Sequence, residues 1–134
     1  METFEKLDVW KEAKALTLEV YRGFRGCRDF SFRDQIQRAA LSVPANIAEG
    51  VERNSAAEFK NFLGIAKGSA GELRALIIIA VDLAYLENDQ LEILLGRCLR
   101  ISKRIHCLIK SLENRFRLLK RRVVEPGYQR KGVT

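Results

Sequence analysis

The sequence predicts an all-α protein: an up-down-up-down antiparallel four-helix bundle, with longer third and fourth helices, that assembles into a homo-oligomer. Only two prolines and nine glycines occur among 134 residues, of which 47% are hydrophobic and 31% charged. Four segments repeat apolar residues at every third or fourth position, as one face of a helix requires. The connections between them are short, which favours antiparallel neighbours. We expect one bundle domain over residues 1–122 and a flexible basic tail over 123–134.

The first predicted helix covers about residues 8–24, and the second begins near Ser31 and stops at Gly50. Ser31 is a candidate N-cap because serine can accept a hydrogen bond from a free backbone N–H of the first turn. Pro44 lies inside the second pattern and has no backbone donor. We expect a kink or a local break there, at a cost of about 3 kcal/mol if nothing compensates. Ser42 or Asn46 would supply the hydrogen bonds that the local backbone then needs.

The third predicted helix opens with a capping box, in which Ser55 and Glu58 satisfy each other's backbone donors. It continues to about residue 86. Asn88 then caps a fourth helix with near-heptad apolar spacing that ends close to residue 122. Helices of about 31 to 34 residues are roughly 46 to 51 Å long, against 25 to 30 Å for the first two. The second hairpin should therefore overhang the first.

Residues 75–81 are apolar on every helical face and lie near the turn between the third and fourth helices. Such a helix surface does not stay in water, and an exposed apolar patch of this size marks an interface. We therefore expect other copies of the chain to cover it, through Ile77, Ile78, Ile79 and Val81. The alternative is that the first loop of the same chain folds back over it.

The net charge of +7 is concentrated in the last part of the chain. Residues 1–96 carry 12 Lys/Arg and 15 Asp/Glu, a balance of −3, while residues 97–134 carry 12 Lys/Arg and two glutamates, a balance of +10. This asymmetry predicts RNA or DNA, or else an acidic protein surface, as the partner. The alternative is a solvated helix face balanced by acidic neighbours. The predicted nucleic-acid-binding residues, which we call the basic stripe, are Arg97, Arg100, Lys103, Arg104, Lys110 and Arg117, assisted by Lys120, Arg121 and Arg122.

Two further features of the second and third helices point to close packing. Gly64, Gly68 and Gly71 are spaced along one face of a helix, where each costs about 1 kcal/mol relative to alanine, so another backbone is expected to approach them. Pairing the two helices about the turn near residue 52 brings polar residues together. We expect a buried polar cluster that builds structure, with a ligand site as the alternative; its members are Gln35, Arg38, Asn46, Glu49, Ser69 and Glu72.

Enzyme chemistry has little support in this sequence. The single histidine, His106, and its neighbour Cys107 point about 100° apart around a helix, so they do not form a nucleophile and base. The three cysteines form no C-x-x-C pair and, with one histidine, do not reach metal-ligand spacing. We predict no catalytic residues, no metal and no cofactor. Cysteine usage and the lack of a signal pattern predict a cytoplasmic protein, and an apolar run of seven residues is far below the roughly 20 of a membrane span.

Three blocks of sequence resemble a known family. Residues 4–10 read Phe-Glu-Lys-Leu-Asp-Val-Trp, residues 46–50 read Asn-Ile-Ala-Glu-Gly, and residues 68–73 read Gly-Ser-Ala-Gly-Glu-Leu. Together they are similar to the bacterial four-helix bundle proteins encoded in intervening sequences of 23S ribosomal RNA genes, over about residues 4–115. The resemblance implies a ring-like homopentamer without known enzymatic activity. A related bundle, the accessory protein of diversity-generating retroelements, binds nucleic acid and a reverse transcriptase. For the present chain the predicted partner is RNA, including ribosomal RNA.

Overall fold

A computed structural model of the protein describes residues 3–123, and all side chains in that range except Phe116 and residues 119–123. A short 3-10 helix (Phe4–Lys6) precedes four α-helices: α1 (Asp8–Gly23), α2 (Phe30–Glu52), α3 (Ala56–Asp82) and α4 (Asn88–Val123). Within this range there is no strand, so the all-α class with four helices is confirmed. Residues 124–134 of the predicted tail lie outside the described residues.

The core runs along the middle of the four helices. Neighbouring pairs α1–α2, α2–α3, α3–α4 and α1–α4 are in contact. Each helix contributes one stripe of buried apolar side chains, as the sequence periodicity predicted. The stripes include Leu16 and Val20 of α1, Ile36 and Ile47 of α2, Leu63, Leu73 and Ile77 of α3, and Ile101 and Ile105 of α4.

The helix boundaries differ from the predicted ones at several ends. The N-cap of α2 is Asp29, whose Oδ1 accepts the Phe32 N–H at 3.1 Å, and the predicted cap Ser31 lies within the helix. An aspartate suits this position because its charge also interacts favourably with the helix dipole. In α3 the predicted capping residue is confirmed, since Ser55 Oγ accepts the Glu58 N–H at 3.1 Å. Asn88 is the first residue of α4 and not its cap.

The C-terminus of α3 lies about four residues before the predicted end. The Ala84 N–H donates to the Val81 carbonyl and the Tyr85 N–H donates to the Ala80 carbonyl, at 2.9 and 2.8 Å. These two bonds form a Schellman motif, whose next-to-last residue must adopt a left-handed conformation. Ala84 does so, with φ of 64°. The sequence signal was weak because glycine usually occupies this position.

Pro44 neither breaks nor interrupts α2, which is helical from Phe30 to Glu52. A proline in a helix leaves the carbonyl four residues earlier, here that of Ala40, without its backbone donor. The Thr17 hydroxyl of α1 lies 2.9 Å from the Ala40 oxygen and donates to it, while lying 2.8 Å from the Ala13 oxygen of its own helix. The predicted local break therefore does not occur, because a neighbouring helix supplies the missing donor.

The turn between α3 and α4 packs against the loop between α1 and α2. Tyr85 donates its hydroxyl hydrogen to Asp29 Oδ2 at 2.7 Å, and its ring meets Phe32 edge-on at 5.5 Å. Phe24 and Leu86 are buried at this end. The predicted overhang of the second hairpin here was wrong, partly because α2 has 23 residues instead of about 20. The first loop packs against the turn of the second hairpin, but it does not cover the apolar stretch 75–81 as the alternative required, since Ile78 and Ile79 stay exposed.

Candidate nucleic-acid interface

The arginines at the start of the basic stripe face α1. Arg97 forms an ion pair with Glu19, and Arg104 Nε lies 3.1 Å from Glu12 Oε1. Arg100 is more distant, at 4.0 Å from the other Glu12 oxygen. Two carboxylates of α1 thus offset three arginines of α4, as in the alternative of a helix face balanced by acidic neighbours. These arginines are less available to a phosphate than their number in the sequence suggested.

The other half of the basic stripe lies on the outer edge of α4. Lys103, Lys110 and Arg117 are exposed and recur every seven residues, so they follow one line along the helix. Lys110 lies 3.4 Å from Glu113, one turn further on. Among the residues that the structure describes, Lys103 and Arg117 have no ion-pair partner. The predicted assisting side chains of Lys120, Arg121 and Arg122 lie outside the described part.

Two cations of α3 contact side chains on the neighbouring edge of α4. Lys60 Nζ lies 3.0 Å from Glu113 Oε2, and its hydrogen bond and charge lower the pKa of that carboxyl. Lys67 Nζ lies 3.3 Å from His106 Nδ1 and donates to it when the ring tautomer leaves that nitrogen unprotonated. The sequence interpretation did not include these lysines. Their seven-residue spacing was the signal that could have identified them.

The predicted polar cluster separates into three small groups. Ser42 and Ser69 are joined between their hydroxyl oxygens at 2.8 Å, and Asn46 Nδ2 donates to the Ser42 carbonyl and hydroxyl at 2.8 and 2.9 Å. This group is half-buried between α2 and α3. Ser42, which the predicted cluster left out, is its centre. The bond within α2 from Asn46 to Ser42 matches the local hydrogen bonding expected around Pro44.

The other predicted members of the polar cluster are exposed. Gln35 Nε2 donates to Glu72 Oε2 at 2.6 Å across α2 and α3, as the pairing of these helices predicted. Glu49 forms an ion pair with Arg53 at 2.9 Å within its own helix end. Arg38 has no ion-pair partner among residues 3–123. The prediction of one buried cluster was therefore wrong, because four of its six members lie on the outer faces of α2 and α3.

The outer face of α3 carries glycines next to large apolar side chains. Apart from its own helix backbone and chain neighbours, a Cβ built on Gly64, Gly68 or Gly71 would meet no atom of the described residues within 4 Å. Ile65, Ile78 and Ile79 beside them are 52%, 46% and 44% exposed. No other helix or loop among residues 3–123 approaches these glycines, so the expected close packing does not occur within the described part of one bundle.

The four residues predicted to form an oligomer interface do not share one environment. Ile77 is fully buried in the core of its own bundle, so its assignment to an interface between copies is corrected. Ile78 and Ile79 are exposed, and Val81 is half-buried. The three remaining residues stay candidates for an interface, and the exposed Ile65 of α3 joins them.

The cysteines differ in environment. Cys98 is buried, and burial raises the pKa of its thiol to about 11, against the smaller effect of the nearby Arg74 and Arg97. Cys107 is exposed on α4. In the described part of the chain, no three His, Cys, Asp or Glu side chains come together as metal ligands. No helix there combines the length and the apolar character needed to cross a membrane.

Comparisons with known proteins assign the chain to a family. A search of curated proteins gives no match. Among solved structures, the chain is similar to a Bacteroides thetaiotaomicron VPI-5482 protein of unknown function from the S23 ribosomal protein family, with a TM-score of 0.72 and 25% identity, covering 76% of this chain and 98% of the other. The family model described as 23S rRNA-intervening sequence protein matches residues 5–107. This chain therefore belongs to the 23S rRNA-intervening sequence protein family.

Proposed function

We propose that this protein is a non-catalytic, oligomeric four-helix bundle of the cytoplasm that binds RNA, including ribosomal RNA, through the outer edge of α4. The observation that carries the proposal is the exposed line of Lys103, Lys110 and Arg117, which remains available after Glu12 and Glu19 have offset the arginines that face α1. Cations at regular spacing neutralise phosphates without reading bases, so the expected sequence preference is weak.

The proposed arrangement of the bundle is up-down-up-down with antiparallel neighbours. Contacts between α3 and α4 support it, because Lys60 meets Glu113 while Lys67 meets His106. The residue numbers rise on one helix as they fall on the other. Between α1 and α4 the same order holds, since Glu12 meets Arg104 and Glu19 meets Arg97.

The proposed self-association uses the outer face of α3. Exposed isoleucines at positions 65, 78 and 79, together with the open surface at Gly68, are the kind of patch that another protein surface covers. A second copy of the chain is the proposed occupant, and the family resemblance favours a ring of five. Light scattering of the 15.3 kDa chain tests this: a mass near five chains is expected, and a monomer at micromolar concentration would refute it. Ile65→Glu should reduce the mass, while Arg38→Glu on α2 should not.

RNA binding is tested by charge reversal on the outer edge of α4. A Lys103→Glu, Lys110→Glu, Arg117→Glu variant should lose most of its affinity for labelled ribosomal RNA fragments at low salt. The matched control reverses three exposed cations of α1, α2 and the loop between them: Lys11→Glu, Arg25→Glu and Arg38→Glu. Equal losses in both variants would indicate that only net charge matters, and unchanged binding by the folded α4 variant would refute the proposal.

The second candidate function is a scaffold that docks an acidic protein partner through the same edge of α4. It is favoured by the exposed apolar surface beside these cations, including Leu99 at 44% exposure, since protein interfaces combine apolar contacts with charged rims. This function would be selected if one acidic protein is recovered with the wild-type chain, is lost with the α4 variant, and neither form of the chain binds RNA.

A further inference from the structure

The cations of α3 are segregated to one edge of the helix, although α3 as a whole is electrically neutral. Its three basic residues, Lys60, Lys67 and Arg74, recur every seven residues. Two of them contact α4, and Arg74 continues the same line along the helix, seven residues after Lys67. All three therefore lie on the side of α3 that faces α4.

The acidic residues of α3 lie elsewhere on the helix. Glu58 pairs with Arg53 and Glu72 accepts a bond from Gln35, both at the edge that faces α2. Asp82 is the last residue of the helix. The net charge of α3 therefore hides its cations, because the sum adds the positive charges on one edge to the negative charges on the other.

Lys60, Lys67 and Arg74 form a line of cations on α3, which we call the α3 row. It runs beside a second row on α4. Lys103, Lys110 and Arg117 form the α4 row, and the shared contacts of Lys60 and Lys110 with Glu113 place the two rows along the same α3–α4 groove. Each row spans 14 residue steps, about 21 Å of helix. Glu113 is the one acid that the described ion pairs place between the rows, where it is held by Lys60 and Lys110.

We propose that the RNA site is the whole α3–α4 groove and that its ligand is base-paired RNA, with Lys60, Lys67 and Arg74 contacting one phosphate strand while the α4 row contacts the other. The proposal rests on the proposed RNA binding and names the shape of the RNA. Helix axes in contact lie about 8 to 10 Å apart, so the rows are separate lines of positive charge. A single strand can follow only one of them, whereas the two strands beside a groove of a duplex can follow both.

The side chains between the cations also favour a duplex. The α4 positions of this edge include Leu99, His106 and Glu113. Single-strand binders rely on aromatic side chains for base stacking, and the α4 row has no Phe, Tyr or Trp among these positions. Duplex RNA is recognised mainly by shape and backbone contacts.

The experiment compares the two rows at several salt concentrations on the full chain. The probes are a labelled 20-base-pair RNA duplex and one of its strands alone. Lys60→Gln with Lys67→Gln removes two charges from the α3 row, and Lys103→Gln with Lys110→Gln removes two from the α4 row. Arg25→Gln with Arg38→Gln removes two exposed charges from the α1–α2 loop and from α2 as the control. Circular dichroism and light scattering confirm that all three variants fold and assemble as the wild type does.

Each lost phosphate contact should reduce the slope of log affinity against log salt by about one. We expect a reduction of about two for either row with the duplex, no change for the control, and tighter wild-type binding to duplex than to single strand. A slope that changes for the α4 row alone would overturn the two-row site but leave the proposed RNA binding intact. Equal wild-type affinity for duplex and single strand would overturn the assignment of base-paired RNA. Absence of wild-type binding to either probe would refute the proposed function itself.

Discussion

The hydrogen bond from Thr17 to Ala40 can be tested by removing the hydroxyl with little change in shape. Thr17→Val keeps a β-branched side chain at a position that is only 6% exposed, but it leaves the Ala40 carbonyl without the donor that replaces the missing N–H of Pro44. An unsatisfied buried carbonyl costs about 1 to 3 kcal/mol. The Ala13 carbonyl should lose little, because the backbone N–H of Thr17 already bonds it within α1.

The reasoning is specific because Pro44→Ala restores the backbone donor. With Ala at position 44, its N–H can bond the Ala40 carbonyl, and Thr17→Val should then cost much less than it does beside Pro44. The difference between the two costs is the coupling energy of the pair, expected at about 1 to 2 kcal/mol. The free energy of unfolding of the four proteins is measured by urea titration at one chain concentration, because self-association would make stability depend on concentration.

Two outcomes would refute this reasoning. Equal costs of Thr17→Val in both backgrounds, within about 0.5 kcal/mol, would mean that the hydroxyl does not replace the Pro44 donor. No cost in the wild-type background would mean that water or a shift of α2 satisfies Ala40. Ser42→Ala serves as a comparison, because its hydroxyl bonds other side chains near Pro44 and its cost should not depend on residue 44.

Three further predictions concern single positions. Ala84→Gly should raise the free energy of unfolding by about 1 kcal/mol in thermal melts, because alanine at φ 64° carries a steric cost that glycine lacks; a lower melting temperature would contradict this. Gly50→Ala should destabilise by about 1 to 3 kcal/mol, since its Cβ would lie 2.9 Å from atoms of Phe59 and Phe62. The same change at Gly96 of α4 meets no neighbouring atom within 4 Å and should stabilise the helix by up to about 1 kcal/mol. Equal effects in urea titrations would be inconsistent with the packing. The raised pKa of Cys98 means that the unfolded thiol ionises near pH 9 and the folded one near 11, so stability should fall between these pH values, and Cys98→Ala should lose that part of the pH dependence.

Much of the fold could be predicted because it follows from periodicity. The buried stripes of all four helices, the Ser55 cap and the contact of Gln35 with Glu72 depend on spacing within one helix or on pairing two helices about a turn. The effect of Pro44 could not be predicted in the same way. Its compensation comes from Thr17, 27 residues earlier in the chain, and a local pattern does not contain that partner.

The candidate site shows the same limit. The line of Lys103, Lys110 and Arg117 was visible as a heptad, and it is exposed as expected. Whether Arg97 and Arg104 are available depends on two glutamates of α1, which the order of the sequence places more than 70 residues away. Summing charge over residues 1–96 and 97–134 placed the cations of α3 in a segment with a net charge of −3, so the α3 row was missed.

The paired and unpaired cations lie on different sides of the bundle, so the positive electrostatic potential is uneven around the molecule. On the side of α1 the arginines of α4 meet carboxylates, while on the side of α3 the described cations share one glutamate. The electric field of a dissolved polyanion therefore exerts a torque on the protein before contact. This torque turns the α3–α4 side toward the polyanion and raises the fraction of productive collisions. Such guidance acts on the association rate and weakens as the Debye length shortens, from about 10 Å at 0.1 M salt to about 3 Å at 1 M. In a ring of identical subunits, the way the α3–α4 sides face would decide whether one strand of nucleic acid contacts several subunits in succession.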